Sequence, residues 1–164
     1  MIREATEKDL EEIINITHTI IKDMKKECNP QWHEGYPTKE DFRIDLNNDS
    51  LYVYENKKVI GFAAILEDDG TDYDEVKVSK NEKAYVVHRL GVDKNYRGQG
   101  IAYQFMKYAE DLAKKNNVYL MKADTEIKNV PMNGLLKKLG YQKLDTFHWS
   151  DNDGTFNYYE KKLK

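Results

Sequence analysis

The stretch AYVVHRLGVDKNYRGQGIAYQFMKYAEDLAKKNN, beginning at Ala84, constrains the fold more than any other. It opens as a long strand of β-branched and aromatic residues, AYVVHRLGV. After the short loop DKNY come Gly98 and Gly100. Helical periodicity then sets in, with Ile101, Phe105, Tyr108, Ala109 and Leu112 on one stripe. A strand that passes so quickly into an amphipathic helix must lay that helix against its own sheet. A glycine in a helix interior costs about 1 kcal/mol relative to alanine. Two of them at this boundary mark a place that needs bare backbone.

The rest of the chain alternates in the same way. MIREA reads as a short strand, and Thr6 stands three residues before Asp9 as an N-cap. Leu10, Ile13, Ile14, Thr17, Ile20, Ile21 and Met24 follow helical spacing up to Asn29-Pro30. PQWHEGYP is irregular and aromatic. Thr38 caps a second helix, KEDFRIDLNN, with Phe42 and Leu46 on one face. LYVYEN and VIGFAAILE form a hairpin around NKK. VYLMKADTE is a strand and VPMNGLLKKLG a short helix, with Pro131 in its first turn and Gly140 at its end. YQKLDTFHW and FNYYEKKL are strands around SDNDGT. The expected order is β-α-α-β-β-β-α-β-α-β-β, an α/β (α+β) mixed sheet with helices on its faces.

At 164 residues the chain is expected to form one domain, residues 1–164. A hydrophobic content of 40% argues against disorder, and a net charge of -3 argues against a nucleic-acid partner. Cys28 is the only cysteine, which fits a reducing compartment. No secretory signal or membrane-spanning run is legible, so a cytoplasmic location is expected, with no membrane partner.

A helix N-terminus offers unpaired N–H groups and the positive end of the helix dipole, and together these bind phosphate. Gly98 and Gly100 let backbone approach phosphate oxygens, and Arg97 adds a charge-assisted bond. The competing reading is a turn that merely needs two glycines. The string is no P-loop, which requires G-x-x-x-x-G-K-[ST]. It is no dinucleotide fingerprint either, since Tyr103 stands at the third glycine position.

R-G-Q-G-I-A resembles the R/Q-x-x-G-x-G/A signature of the GNAT superfamily of acyl-CoA N-acyltransferases. ADTEIKNVPMNGLLKKLGYQKL is similar to that family's next strand and helix, and REATEKDLEEI to its usual opening. The resemblance covers most of the chain and is most specific between His88 and Leu144. It implies a GNAT-type fold, with a mostly antiparallel, splayed sheet flanked by helices. It implies acetyl-CoA as co-substrate and an amine acceptor, either a small molecule or a peptide. Dimerisation, common in the family, makes a homodimer one expectation.

By that resemblance the backbone of Leu90, Gly91 and Val92 contacts the pantetheine and thioester, with Leu90 and Val92 near the oxyanion. Arg97, Gly98, Gln99, Gly100, Ile101 and Ala102 cradle the pyrophosphate. Asn129 and Met132 reach the pantetheine arm, with an N-cap as the competing role for Asn129. Lys137 or Lys138 meets the outer phosphates, or is simply solvated. The resemblance also implies a bulge in the central strand; His88, just before it, is the candidate base or relay, against a packed strand histidine, and shares a face with Leu90 and Val92 if the bulge falls later. His148 and Tyr141 are weaker candidates, and Asp124 is read as ordering a strand end. Many family members carry a tyrosine acid where this chain has Leu136.

The resemblance also implies that the segment between the first two helices covers the acceptor, which makes Trp32 and Tyr36 the candidate acceptor contacts, as an aromatic lid that desolvates a cationic amine. Packing under a loop is the other reading. The acidic run EDDGTDYDE attracts a basic acceptor or is only solvated. The Ala63–Ala64 pair hints at room for a longer acyl chain. No metal spacing occurs among the histidines, and DNDG is a turn rather than a calcium loop. Three functions therefore compete. One is acetyl transfer to a small primary amine by direct attack in a ternary complex. Another is acetylation of a protein N-terminus or lysine. The last is a non-catalytic acyl-CoA sensor, kept open by Leu136.

Overall fold

The computed structural model describes residues 1–68 and 75–164. The acidic run EDDGTDYDE therefore lies largely outside the described residues. Among them the strands are β1 (Ile2–Glu4), β2 (Leu51–Asn56), β3 (Lys58–Asp68), β4 (Ala84–Val92), β5 (Leu120–Glu126), β6 (Gln142–Ser150) and β7 (Gly154–Lys162). The helices are α1 (Leu10–Lys26), α2 (Lys39–Asn47), α3 (Ile101–Lys115) and α4 (Val130–Lys138). The chain order is the expected one.

The strands form one seven-stranded sheet in the order β1-β2-β3-β4-β5-β7-β6. All neighbours are antiparallel except β4 and β5. That parallel pair is joined by the crossover through α3, as parallel strands require. α1 and α2 pack on one face around Ile13, Phe42 and Phe62. α3 and α4 pack on the other around Phe105, Met106 and Leu136.

Local chemistry sets the helix starts. Thr38 caps α2, its backbone N–H donating to the Asp41 carboxylate at 2.7 Å. Thr6 N–H donates to Asp9 in the same way, at 2.7 Å, and Asp9 also takes a bidentate pair from Arg3. The stripe of α3 is rotated from the sequence reading. Met106 and Glu110 are fully buried, while Tyr108 and Leu112 are only partly so. Glu110 is tolerated inside because Lys107 and Lys161 each donate to it at 2.8 Å and Tyr141 at 3.3 Å.

Two features position the site. The first is a bulge in β4. Phe62 pairs with Gly91, yet Ala64 pairs with His88, so β4 carries one residue more than β3 between these points. Arg89, with φ 48°, is in the left-handed region there. The second is the parting of β4 from β5. Among the described residues they pair only at Tyr85–Met121 and Val86–Lys122. Beyond Val86 the sheet opens.

The bulge corrects one expectation. It falls at Arg89, directly after His88, so the condition for a shared face fails and alternation breaks between His88 and Leu90. Leu90 and Val92 pack with Tyr85 and Val87 on the α3 side, and His88 belongs to the opposite face. Ala63 and Ala64 are fully buried in the packed sheet and do not border the opening, which removes the hint of acyl-chain room. No helix among the described residues is long and apolar enough to cross a membrane.

Candidate functional site

The parting of β4 and β5 opens a cleft of about 1150 Å³. Its floor is β4 from Val87 to Val92. One end is closed by the loop between β4 and α3, and the other by Trp32, Tyr36 and Asp124. α1 and α4 supply the sides through residues such as Ile20, Asp23, Met132 and Leu135.

The glycine loop ends in the first turn of α3. Gly98 has φ 75° and Gly100 has φ 80°, conformations that other residues adopt only with strain. A Cβ on either would meet no atom within 4 Å. The glycines are therefore there for backbone shape, and the space beside them is open. The first intrahelical bond of α3 runs from Gln104 N–H to Gly100 O, at 3.0 Å. The amides of Ile101, Ala102 and Tyr103 precede it and have no carbonyl four residues back in the helix. Gly91 differs from these glycines, because a Cβ there would lie 2.5 Å from Phe62 Cζ and 2.8 Å from Ile20 Cδ1. Bare backbone is what lets the bulge settle onto the α1 side of the core.

Arg97 is held by Asp23 of α1, Nη1 to Oδ2 at 3.1 Å. Leu90, Gly91, Val92, Arg97, Gly98, Gly100, Ile101, Ala102, Asn129 and Met132 all line the cleft. Gln99 does not, and it is exposed. Lys138 borders the cleft and Lys137 does not. The Asn129 side chain accepts from Met132 N–H at 3.3 Å, so it is an N-cap that also faces the opening.

His88 and Asp124 face each other across the parted strands, Nδ1 to Oδ1 at 3.9 Å. The sequence reading gave Asp124 only an ordering role, but the structure puts it on the cleft wall beside His88. His148 is exposed and bonded to Thr155 at 2.8 Å. Tyr141 is buried against Glu110, and burial pushes its phenol far up; it does not border the cleft. Leu136 is fully buried in the core.

Trp32 is no open lid. Its ring is 4% exposed and stacks on Phe62 with centroids 6.1 Å apart. Tyr36 is half-buried, and its hydroxyl accepts from Arg89 Nη1 at 3.0 Å. Arg89 also donates to both oxygens of Asp45, each at 2.6 Å. Burial alone would lower the Arg89 pKa, but the bonds and charge of Asp45 outweigh it and hold the guanidinium charged. The bulge, α2 and the aromatic segment are thus tied through one side chain. Sequence reading passed over Arg89 and Asp45 because they stand far apart in the chain. Among the described residues no group of His, Cys, Asp or Glu could hold a metal.

The model of the acetyltransferase (GNAT) family matches residues 17–141. A GNAT-family acetyltransferase from Streptococcus agalactiae 2603 superposes with a TM-score of 0.84 at 26% identity, covering 100% of this chain and 95% of that one. A Staphylococcus aureus Mu50 protein described as an acetyltransferase is 32% identical, with a TM-score of 0.74 and coverage of 100% and 99%. A Salmonella typhimurium protein solved with its cofactor acetyl-CoA shares the fold at 17% identity, with a TM-score of 0.74 and coverage of 100% and 94%. No curated protein matches the sequence.

Proposed function

The chain belongs to the GNAT family of acetyltransferases, and from that premise we propose that it moves the acetyl group of acetyl-CoA to a primary amine. The observation that carries this reading is the coincidence of two features in one cleft. The parted face of β4 and the glycine-shaped start of α3 both border it.

The residues suit acetyl-CoA. Gly98 and Gly100 shape a backbone cradle with open space beside it, and Arg97 brings a guanidinium to its mouth. A pyrophosphate there gains N–H donors and the helix dipole. β4 beyond Val86, with no β5 partner in the ladder, leaves edge backbone for the pantetheine amides. A backbone N–H in Leu90–Val92 serves as donor to the developing oxyanion.

The acceptor nitrogen attacks the thioester carbonyl. The C–N bond forms, the C–S bond breaks, and the sulfur takes up a proton while the nitrogen loses one. An alkyl ammonium has a pKa of about 10.4, so the amine must first be deprotonated. His88, held beside Asp124, is the proposed relay for that proton. The leaving thiol is a modest acid with a pKa of about 8.5, so water suffices to protonate it where Leu136 replaces a tyrosine.

A second reading rests on that same Leu136, which is wholly buried and offers no proton. It is a non-catalytic acyl-CoA sensor. The deciding experiment is thiol release from acetyl-CoA against a panel of amines and short peptides, with calorimetric CoA binding alongside. Amine-dependent release supports the transferase. Tight CoA binding without release across the panel selects the sensor. In an active enzyme, His88→Ala is expected to lower kcat and alter its pH profile while sparing CoA affinity; an unchanged profile returns His88 to a structural role.

A further inference from the structure

Beside the cleft lies a second cavity of about 460 Å³. Its walls carry the rings of Tyr36, Trp149, Phe156 and Tyr158 and the carboxylates of Asp124 and Asp153. Among the described residues neither a lysine nor an arginine lines it, and His33 is its one basic side chain. Tyr36, Asp124 and Phe156 border both spaces. The two therefore meet at Asp124, the residue that stands 3.9 Å from His88.

The rings are held in place rather than loosely exposed. Trp149 is 42% exposed, yet its indole N–H donates to Tyr158 Oη at 2.6 Å and its ring lies 4.6 Å from Phe147. Tyr36 is fixed by Arg89. Asp153 accepts from Ser150 Oγ–H at 2.9 Å, in the turn between β6 and β7. Burial, with the nearby Asp124 and Asp145 charges, pushes the Tyr158 phenol up to about 12 against the donated Trp149 bond, so the ring stays neutral. Negative potential and aromatic faces converge on one small space. Both attract a cation, and the only lining side chains that could answer an anion are the His33 imidazole and the Gln31 amide, neither a fixed charge.

Building on the acetyl-transfer reading, we propose that this cavity takes the acceptor as a small primary ammonium on a hydrocarbon or aryl stem, without a carboxylate. The ammonium end meets Asp124 where the cavity opens into the cleft. The stem lies among Tyr36, Phe156, Tyr158 and Trp149. Asp153, at the far turn, holds a second ammonium where the stem carries one. An α-carboxylate on the acceptor is set against Asp124 with no lysine or arginine on the cavity wall to answer it, and like charges brought together discriminate strongly.

The test uses matched pairs that differ only by that carboxylate: 1,5-diaminopentane against lysine, and phenethylamine against phenylalanine. Thiol release from acetyl-CoA is measured for each, and each is titrated calorimetrically into the CoA-saturated protein. The amines are expected to exceed the amino acids by about 10-fold or more in kcat/KM. Trp149→Ala is expected to raise KM for both amines about 5-fold, and Asp153→Asn to raise it for the diamine above all, with CoA affinity unchanged. Amino acids or a tetrapeptide matching the amines would overturn the proposal and leave acetyl transfer standing. Amine binding that Asp153→Asn weakens, without thiol release, would keep the site and refute the transfer. Absence of amine binding to the CoA-loaded protein at millimolar concentration would overturn the site itself.

Discussion

Asp45→Ala is the perturbation with the largest expected effect on stability. Asp45 is buried, and its carboxylate takes two bonds of 2.6 Å from Arg89, whose side chain is 16% exposed. Removing one partner of a buried pair leaves the other charge uncompensated, at a cost of about 3–5 kcal/mol. Arg89 keeps Tyr36 and some water, so the lower end applies, about 3 kcal/mol. For a chain of this size each kcal/mol moves Tm by about 2–4 °C, giving a drop of roughly 6–12 °C. Urea denaturation at pH 7 measures the loss directly. The double variant Arg89→Met with Asp45→Ala removes the stranded charge and is expected to recover at least about 1 kcal/mol relative to additivity. A single-variant loss below about 1 kcal/mol, or an additive double, would refute the view that this pair pins the bulge.

Further expectations are smaller in scale. Gly91→Ala drives a Cβ to 2.5 Å from Phe62 and should cost about 1–3 kcal/mol in urea denaturation, because that ring is itself packed. Gly100→Gln places its Cβ in open space but must hold φ 80°, so stability should fall by about 1–2 kcal/mol. Its CoA affinity should fall more than tenfold by calorimetry; unchanged affinity in a folded variant would remove the cradle assignment. For Glu110, burial pushes the carboxyl up, but Lys107 and Lys161 outweigh it and hold it below its ordinary value of 4.5. Its contribution to stability is therefore present above about pH 4.5 and lost as pH falls through the lower folded value. Glu110→Gln should flatten that acid limb in a pH series of denaturation curves, and an unaltered limb would contradict the sign.

The order of strands and helices was legible because each element is marked by its own periodicity and caps. The strand from Ala84 to Val92 and the Thr38 cap are local signals, and both appear where the residues put them. The glycine loop was legible for the same reason, since positive φ at Gly98 and Gly100 is a local demand. The bulge was not. Nothing around Arg89 announces a left-handed turn. It is fixed by Asp45, a partner on another element, and the side His88 faces follows from it. Asp124 also went unvalued, because its importance lies in what stands across the parted strands. Trp32 reads equally as lid or core until Phe62 is seen beneath it.

The short ladder between β4 and β5 has a mechanical consequence. The sheet amounts to two plates, β1 to β4 and β5 to β7, stitched at Tyr85–Met121 and Val86–Lys122. In that seam Lys122 is buried, donating to Ser79 O at 2.7 Å and pairing with Asp68 at 3.5 Å. The seam acts as a fulcrum. A change of side-chain volume there is expected to shift the far ends of the plates, where the thioester is proposed to sit. The width of the opening would then depend on residues that line the seam and not the cleft, such as Met121 and Lys122.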